Sequence, residues 1–199
     1  MTTSIANLYP RSIPALRPAP MPFAFLPLAL LLVALPAAAH PGHAEASGML
    51  AGLAHPFTGV DHLLALLGVG LWSRQQARGP LQAGAFVALF VLMMALGALV
   101  QVDIPIEPAI AATVALIGAL LVAAVRLPAG AALALVALFA ALHGQAHGRE
   151  LSGAASMAGF LLASAALLLA GRLMAGPRLS RFAGAAIGAT GLVLLAGAA

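Results

Sequence analysis

The chain has no cysteine. That absence removes thiolate metal sites, disulfides and cysteine nucleophiles, and leaves any chemistry to imidazole, carboxylate, hydroxyl or backbone groups. Lysine is missing too, all nine basic residues being arginine. Charge as a whole is scarce: 7% of the 199 residues are charged, against roughly a quarter in soluble domains. The formal charge of +4 does not signal a nucleic-acid partner, because the arginines are scattered at short breaks rather than gathered on one face. No phosphate-binding glycine loop occurs, which excludes ATP as a direct energy source. H-E-x-x-H and serine-nucleophile patterns are also absent. This counts against a membrane metallohydrolase in which Glu150 would act as base beside metal-bound water, and the chain reads as non-enzymatic.

What the chain has instead is apolar length, with 63% of its residues hydrophobic. A helix crossing a bilayer needs about 20 mostly apolar residues, and such stretches follow one another with short polar breaks. The amino terminus resembles a secretory signal. Arg11 and Arg17 precede an uncharged run from Pro18 to Ala39, which closes on the A-x-A pattern Ala37-Ala38-Ala39. Pro27 and Pro36 interrupt that run, which favours cleavage over an additional span. The fold expected is therefore an all-α membrane protein: residues 1–39 as a cleavable signal peptide and 40–199 as a six-transmembrane-helix bundle. The spans are expected at about 48–72, 81–100, 108–125, 129–147, 151–171 and 182–199.

Orientation follows from the arginines, since cytoplasmic loops near span ends collect Lys and Arg. Arg74 and Arg78 follow the first span, Arg126 the third, and Arg172, Arg178 and Arg181 the fifth. The alternate side holds Glu45, Asp103, Glu107 and Glu150, with Arg149 its sole basic residue. This pattern predicts a bacterial inner-membrane protein with both mature termini outside. Glycines such as Gly52, Gly70, Gly144 and Gly159 let helices approach closely, so the bundle should be tight. Met93 and Met94 read as packing.

Ionisable groups inside a membrane are costly and tend to be functional. They occur here in two clusters. The first runs His55-Pro56-Phe57-Thr58-Gly59-Val60-Asp61-His62, and the second His143-Gly144-Gln145-Ala146-His147-Gly148-Arg149-Glu150. Both fall on the outer side of the topology. His143, His147 and Glu150 share one helical face, and two imidazoles four residues apart can chelate one ion. On a straight helix His55 and His62 would lie about 10 Å apart along the axis, too far to share an ion. A break at Pro56 and Gly59 would bring His55 toward Asp61 and His62, irregular backbone being tolerated where it lines a cavity. Otherwise the two are successive stations on a path. The ordinary alternatives are that Thr58 and Asp61 cap a helix and that Arg149 and Glu150 are solvated rim charges. Cleavage after Ala39 would also expose His40 and His43 beside a free amine, able to capture metal loosely, although a plain flexible tail serves the same sequence.

At these clusters the sequence resembles the HupE/UreJ family of small membrane proteins. The family's first motif, His, five residues, Asp-His, is matched by His55, Asp61 and His62. Its second, Phe-His-Gly-x-Ala-x-Gly-x-Glu, is matched by His143, Gly144, Ala146, Gly148 and Glu150, with Leu142 in place of the Phe. The resemblance implies Ni2+ uptake supplying hydrogenase or urease maturation proteins, with His55, Asp61 and His62 as the essential metal-handling residues. The residues alone indicate a divalent transition metal, because imidazole and carboxylate suit Co2+, Zn2+ and Cu2+ as well. A second reading is an accessory protein that stores or hands over Ni2+ or Co2+ without transporting it. The partners expected are thus the lipid bilayer and a divalent ion.

Overall fold

A computed structural model describes residues 48–76 and 79–198; the expected signal peptide, His40, His43 and Arg78 lie outside these residues. The described chain is helical, with α1 Met49–Ala54, a 3-10 turn His55–Phe57, α2 Val60–Gln76 and α3 Pro80–Leu99. These are followed by α4 Ile106–Val122, α5 Ala129–Glu150, α6 Ala154–Met174 and α7 Pro177–Gly197. The helices pack chiefly as pairs, α4 on α7 and α3 on α5, with α6 receiving both α1 and α2.

By length and apolar composition α3, α5, α6 and α7 are each able to cross a membrane, and α1 with α2 would make a fifth crossing if that bent pair is one span. The protein is therefore a multi-pass membrane protein. Three expected spans come out differently, the last, expected at 182–199, being helix α7 from Pro177, whose first turns carry Arg178 and Arg181. The span at 48–72 is not one straight helix: the segments Met49–Phe57 and Val60–Gln76 meet at 80°. Pro56 has no N–H to return to the carbonyl of Gly52, which instead shares the His55 N–H with Ala51. The chain tightens into the 3-10 turn, closed by the Thr58 N–H on the His55 carbonyl at 3.0 Å, and α2 starts afresh with Leu63 N–H on Gly59 O at 3.0 Å.

The span expected at 108–125 is the shorter helix α4, of 17 residues. It ends early because Ala124 turns to φ 50°. The Ala124 N–H then bonds to Leu121 O at 3.2 Å and the Val125 N–H to Leu120 O at 3.0 Å, a Schellman closure normally built on glycine. The freed loop is pinned to the end of α2. Val125 O accepts from Trp72 Nε1 at 3.1 Å and Gln76 Nε2 at 2.7 Å, and Gln76 Oε1 accepts from Leu127 N–H at 2.9 Å.

Glycine sets how closely the elements bearing the polar clusters approach. A methyl group on Gly52 would land on the Ser156 carbonyl and one on Gly159 on the Met49 carbonyl, so α1 and α6 touch backbone to backbone. The same holds for α5 against α3, where a methyl on Gly144 would strike Met94 O. Met94 is fully buried in that contact, as expected of a packing residue. The start of α1 is tied to α6 by the Gly48 N–H on Ser156 Oγ at 2.8 Å. Chain alternation puts the α1–α2 bend, the α3–α4 loop and the end of α5 at one end of the bundle. All the imidazoles and carboxylates among the described residues lie there.

Candidate metal centre

The bend after Ala54 swings His55 off the axis of α2 and against the last turn of α5. His55 Nε2 lies 2.8 Å from His147 Nδ1 and 3.0 Å from Glu150 Oε2, and His147 Nδ1 is 3.1 Å from the same oxygen. The three atoms form a nearly equilateral triangle from residues 92 and 95 positions apart. His147 is buried, His55 half-buried and Glu150 exposed at the rim, so the triangle has one open side. Bonds of about 2.1 Å from a single ion to all three atoms would subtend about 90°, the angle between neighbouring ligands of an octahedron. Two imidazoles and a carboxylate on one face of an octahedral ion is an established arrangement for divalent transition metals.

His62 and His143 lie deeper. Asp61 Oδ1 accepts from the His62 backbone N–H and from its Nδ1–H, each at 2.9 Å. The His143 Nδ1–H donates to the Phe139 carbonyl at 2.9 Å. The His62 ring meets that of His143 with centroids 5.0 Å apart and that of His147 at 3.8 Å, while His147 meets His55 at 4.6 Å. The four imidazoles thus form a continuous chain, His55, His147, His62, His143. Among the described residues the Nε2 atoms of His62, His143 and His147 are buried without a hydrogen-bond partner.

The structure brings together six of the residues singled out in the sequence, with a division of labour that spacing did not show. His143 touches His62, whereas His147 is the member of the helical pair that reaches both His55 and Glu150. Asp61 orients His62 from behind, and its neighbour Gly59 leaves room for the contact, a methyl there falling 2.9 Å from Asp61 Oδ1 and 3.0 Å from His62 Nδ1. Thr58 Oγ1 donates to His55 O at 2.8 Å and so closes the turn rather than capping free N–H groups.

Two features had escaped the sequence reading. Phe160 packs on His147 at 4.2 Å and on His55 at 5.9 Å between centroids, walling the triangle on the α6 side. A single aromatic in an apolar helix carries no sequence signal for this. Arg149, read as a possible rim charge, clamps the α3–α4 loop onto the end of α5: Nε donates to Gln101 Oε1 at 2.7 Å and Nη2 to Val102 O at 2.9 Å. Gln145 Nε2 donates to the same carbonyl.

Comparison with known proteins identifies the family. The family model described as HupE / UreJ protein matches residues 28–199. The protein named Protein HupE from Rhizobium leguminosarum bv. viciae is 36% identical over 194 residues, covering 89% of this chain and all of that protein. No solved structure matches significantly. With the match running through the polar bend, the α5 motif and every helix between and beyond them, the chain belongs to the HupE / UreJ family.

Proposed function

We propose that the protein is a permease of the bacterial inner membrane that takes up a divalent transition metal, Ni2+ first among candidates, and not an enzyme. The observation that carries this reading is the triangle of His55 Nε2, His147 Nδ1 and Glu150 Oε2, with sides of 2.8, 3.0 and 3.1 Å and one side open. Such a triangle replaces part of an ion's hydration shell at the mouth of the bundle. The family resemblance favours Ni2+; the ligands themselves also accept Co2+, Zn2+ and Cu2+.

In this reading the chain crosses six times, after a cleaved signal, with both ends outside. The described arginines Arg74, Arg126, Arg172, Arg178 and Arg181 sit at the opposite end from the imidazoles, which supports reading the imidazole end as the outer one. At 17 residues, α4 spans about 25 Å, a few ångströms less than the hydrocarbon core, a mismatch that local thinning of the bilayer absorbs. A divalent cation entering a cell held at −100 mV gains about 4.6 kcal/mol, so the membrane potential suffices as driving force. Delivery to hydrogenase or urease maturation proteins follows on the inner side.

A second reading is storage or hand-over without transport. It is favoured by the inner half of the bundle, where no imidazole or carboxylate of the described residues lies. Uptake of radioactive nickel at nanomolar concentration into cells expressing the wild type, His55→Ala or His62→Ala separates the two. The permease reading expects accumulation by the wild type and its loss in both variants; equal accumulation in all three ends it.

A further inference from the structure

We propose that the four imidazoles make two metal sites in series, an outer one at His55, His147 and Glu150 and a deeper one at His62, His143 and the second nitrogen of His147, with His147 passing the ion inward. This deepens the permease reading and rests on it.

The deeper site follows from which nitrogens are already engaged. A carbonyl oxygen can only accept, so the Phe139 contact at 2.9 Å holds the His143 proton on Nδ1. The Asp61 carboxylate does the same for His62 at 2.9 Å. Each ring then presents a bare lone pair at Nε2. These two atoms, and Nε2 of His147, are buried without partners among the described residues. A histidine whose far nitrogen donates to a carboxylate or backbone carbonyl is the usual form of an oriented metal ligand. Two nitrogens on one ion lie no more than about 4.2 Å apart; the rings stand with centroids 3.8 and 5.0 Å apart. Among the described residues only His55, His147 and Glu150 already hold three donor atoms within 4.8 Å of one another, so the deeper site forms when its rings turn to meet the ion.

His147 belongs to both sites through opposite nitrogens. It binds the outer ion through Nδ1, beside His55 and Glu150, with its proton on Nε2. It binds the inner ion through Nε2, with its proton on Nδ1 and donated to Glu150, whose Oε2 lies 3.1 Å away. The two bound states are the two neutral tautomers of one ring, so the ring carries one proton in each and no net proton accompanies the ion. Asp61 is a positioning residue in this scheme, and Glu150 both a ligand of the outer ion and the hydrogen-bond acceptor for the His147 Nδ1–H when the inner ion is bound.

The test uses the full-length protein purified in detergent, with Ni2+ as probe and X-ray absorption counting the imidazoles on the bound ion. His55→Ala/Glu150→Gln should retain one ion held by three imidazoles. His62→Asn/His143→Asn should retain one ion held by two. Both should lose uptake by at least about tenfold. Thermal melts of the metal-free proteins show that each variant is folded, and should the deeper variant fail to fold, the outer one alone decides. If the outer variant binds no Ni2+, or shows fewer than three imidazoles, while the wild type binds and transports, one mixed site serves and the two-site scheme is overturned with the permease reading intact. A wild type that binds no Ni2+ overturns both.

Discussion

Replacing Asp61 with asparagine changes one charge and almost no volume, which makes it a sharp probe of how the deeper imidazoles work. The Asp61 carboxylate accepts two hydrogen bonds from His62, at the backbone N–H and at Nδ1–H, both at 2.9 Å. It keeps His62 in one tautomer and adds electron density to the ring. An asparagine oxygen preserves the geometry of those bonds without their charge assistance. Loss of such a partner behind a ligating histidine costs about 10- to 100-fold in metal affinity, equivalent to about 1.4–2.8 kcal/mol. Asp61→Asn is therefore expected to weaken Ni2+ binding by that range while leaving the melting temperature of the metal-free protein near that of the wild type. Competition titration with a chromophoric chelator measures the first quantity and a detergent melt the second. His62→Asn, which removes the ligand itself, should lose more. If Asp61→Asn binds Ni2+ within a factor of two of the wild type, the carboxylate does not tune His62 and the orienting role assigned to it is wrong. If instead the variant loses as much as His62→Asn and the bound ion loses a carboxylate, Asp61 is itself a ligand.

The backbone contact between α1 and α6 predicts that Gly159→Ala, whose methyl would meet Met49 O and Leu53 N, costs about 1–3 kcal/mol and moves His55 away from His147. Lower protein yield and lost nickel uptake are expected, whereas Gly130→Ala, with no neighbour within 4 Å of the added methyl, should behave as wild type; equal behaviour of the two variants contradicts the contact. At the opposite end, Ala124 pays for its φ of 50°, a left-handed conformation costing roughly 1–2 kcal/mol in an L-residue. Ala124→Gly removes that cost but frees the unfolded chain by about 0.4–1 kcal/mol, so a net gain of about 0.5–1 kcal/mol should appear as a melting temperature a few degrees higher. An unchanged or lower melt would show that the Schellman closure of α4 is unstrained.

The residues of the candidate site were legible because ionisable side chains are rare in this chain, and their cost in an apolar setting makes each conspicuous. Their pairing was not. Spacing put His143, His147 and Glu150 on one face but could not say that His143 would turn to His62 while His147 took His55 and Glu150, because that choice depends on where α1 lies. Pro56 and Gly59 announced a break in the first span, yet the 80° bend is held by distant contacts. Ser156 anchors the Gly48 N–H, and Gly52 and Gly159 allow α1 to rest on α6. The early end of α4 was hidden for the opposite reason, since Ala123, Ala124 and Val125 are as apolar as the helix before them and the closing position carries alanine where glycine is the usual sign. Phe160 left no trace in the sequence at all, its role arising only once α6 lies beside the bend. Local chemistry therefore named the candidate ligands, whereas contacts between glycines and carbonyls on neighbouring helices decided which ring faces which. Substitutions at those glycines, far from any imidazole in sequence, should thus alter metal handling as surely as changes to the ligands.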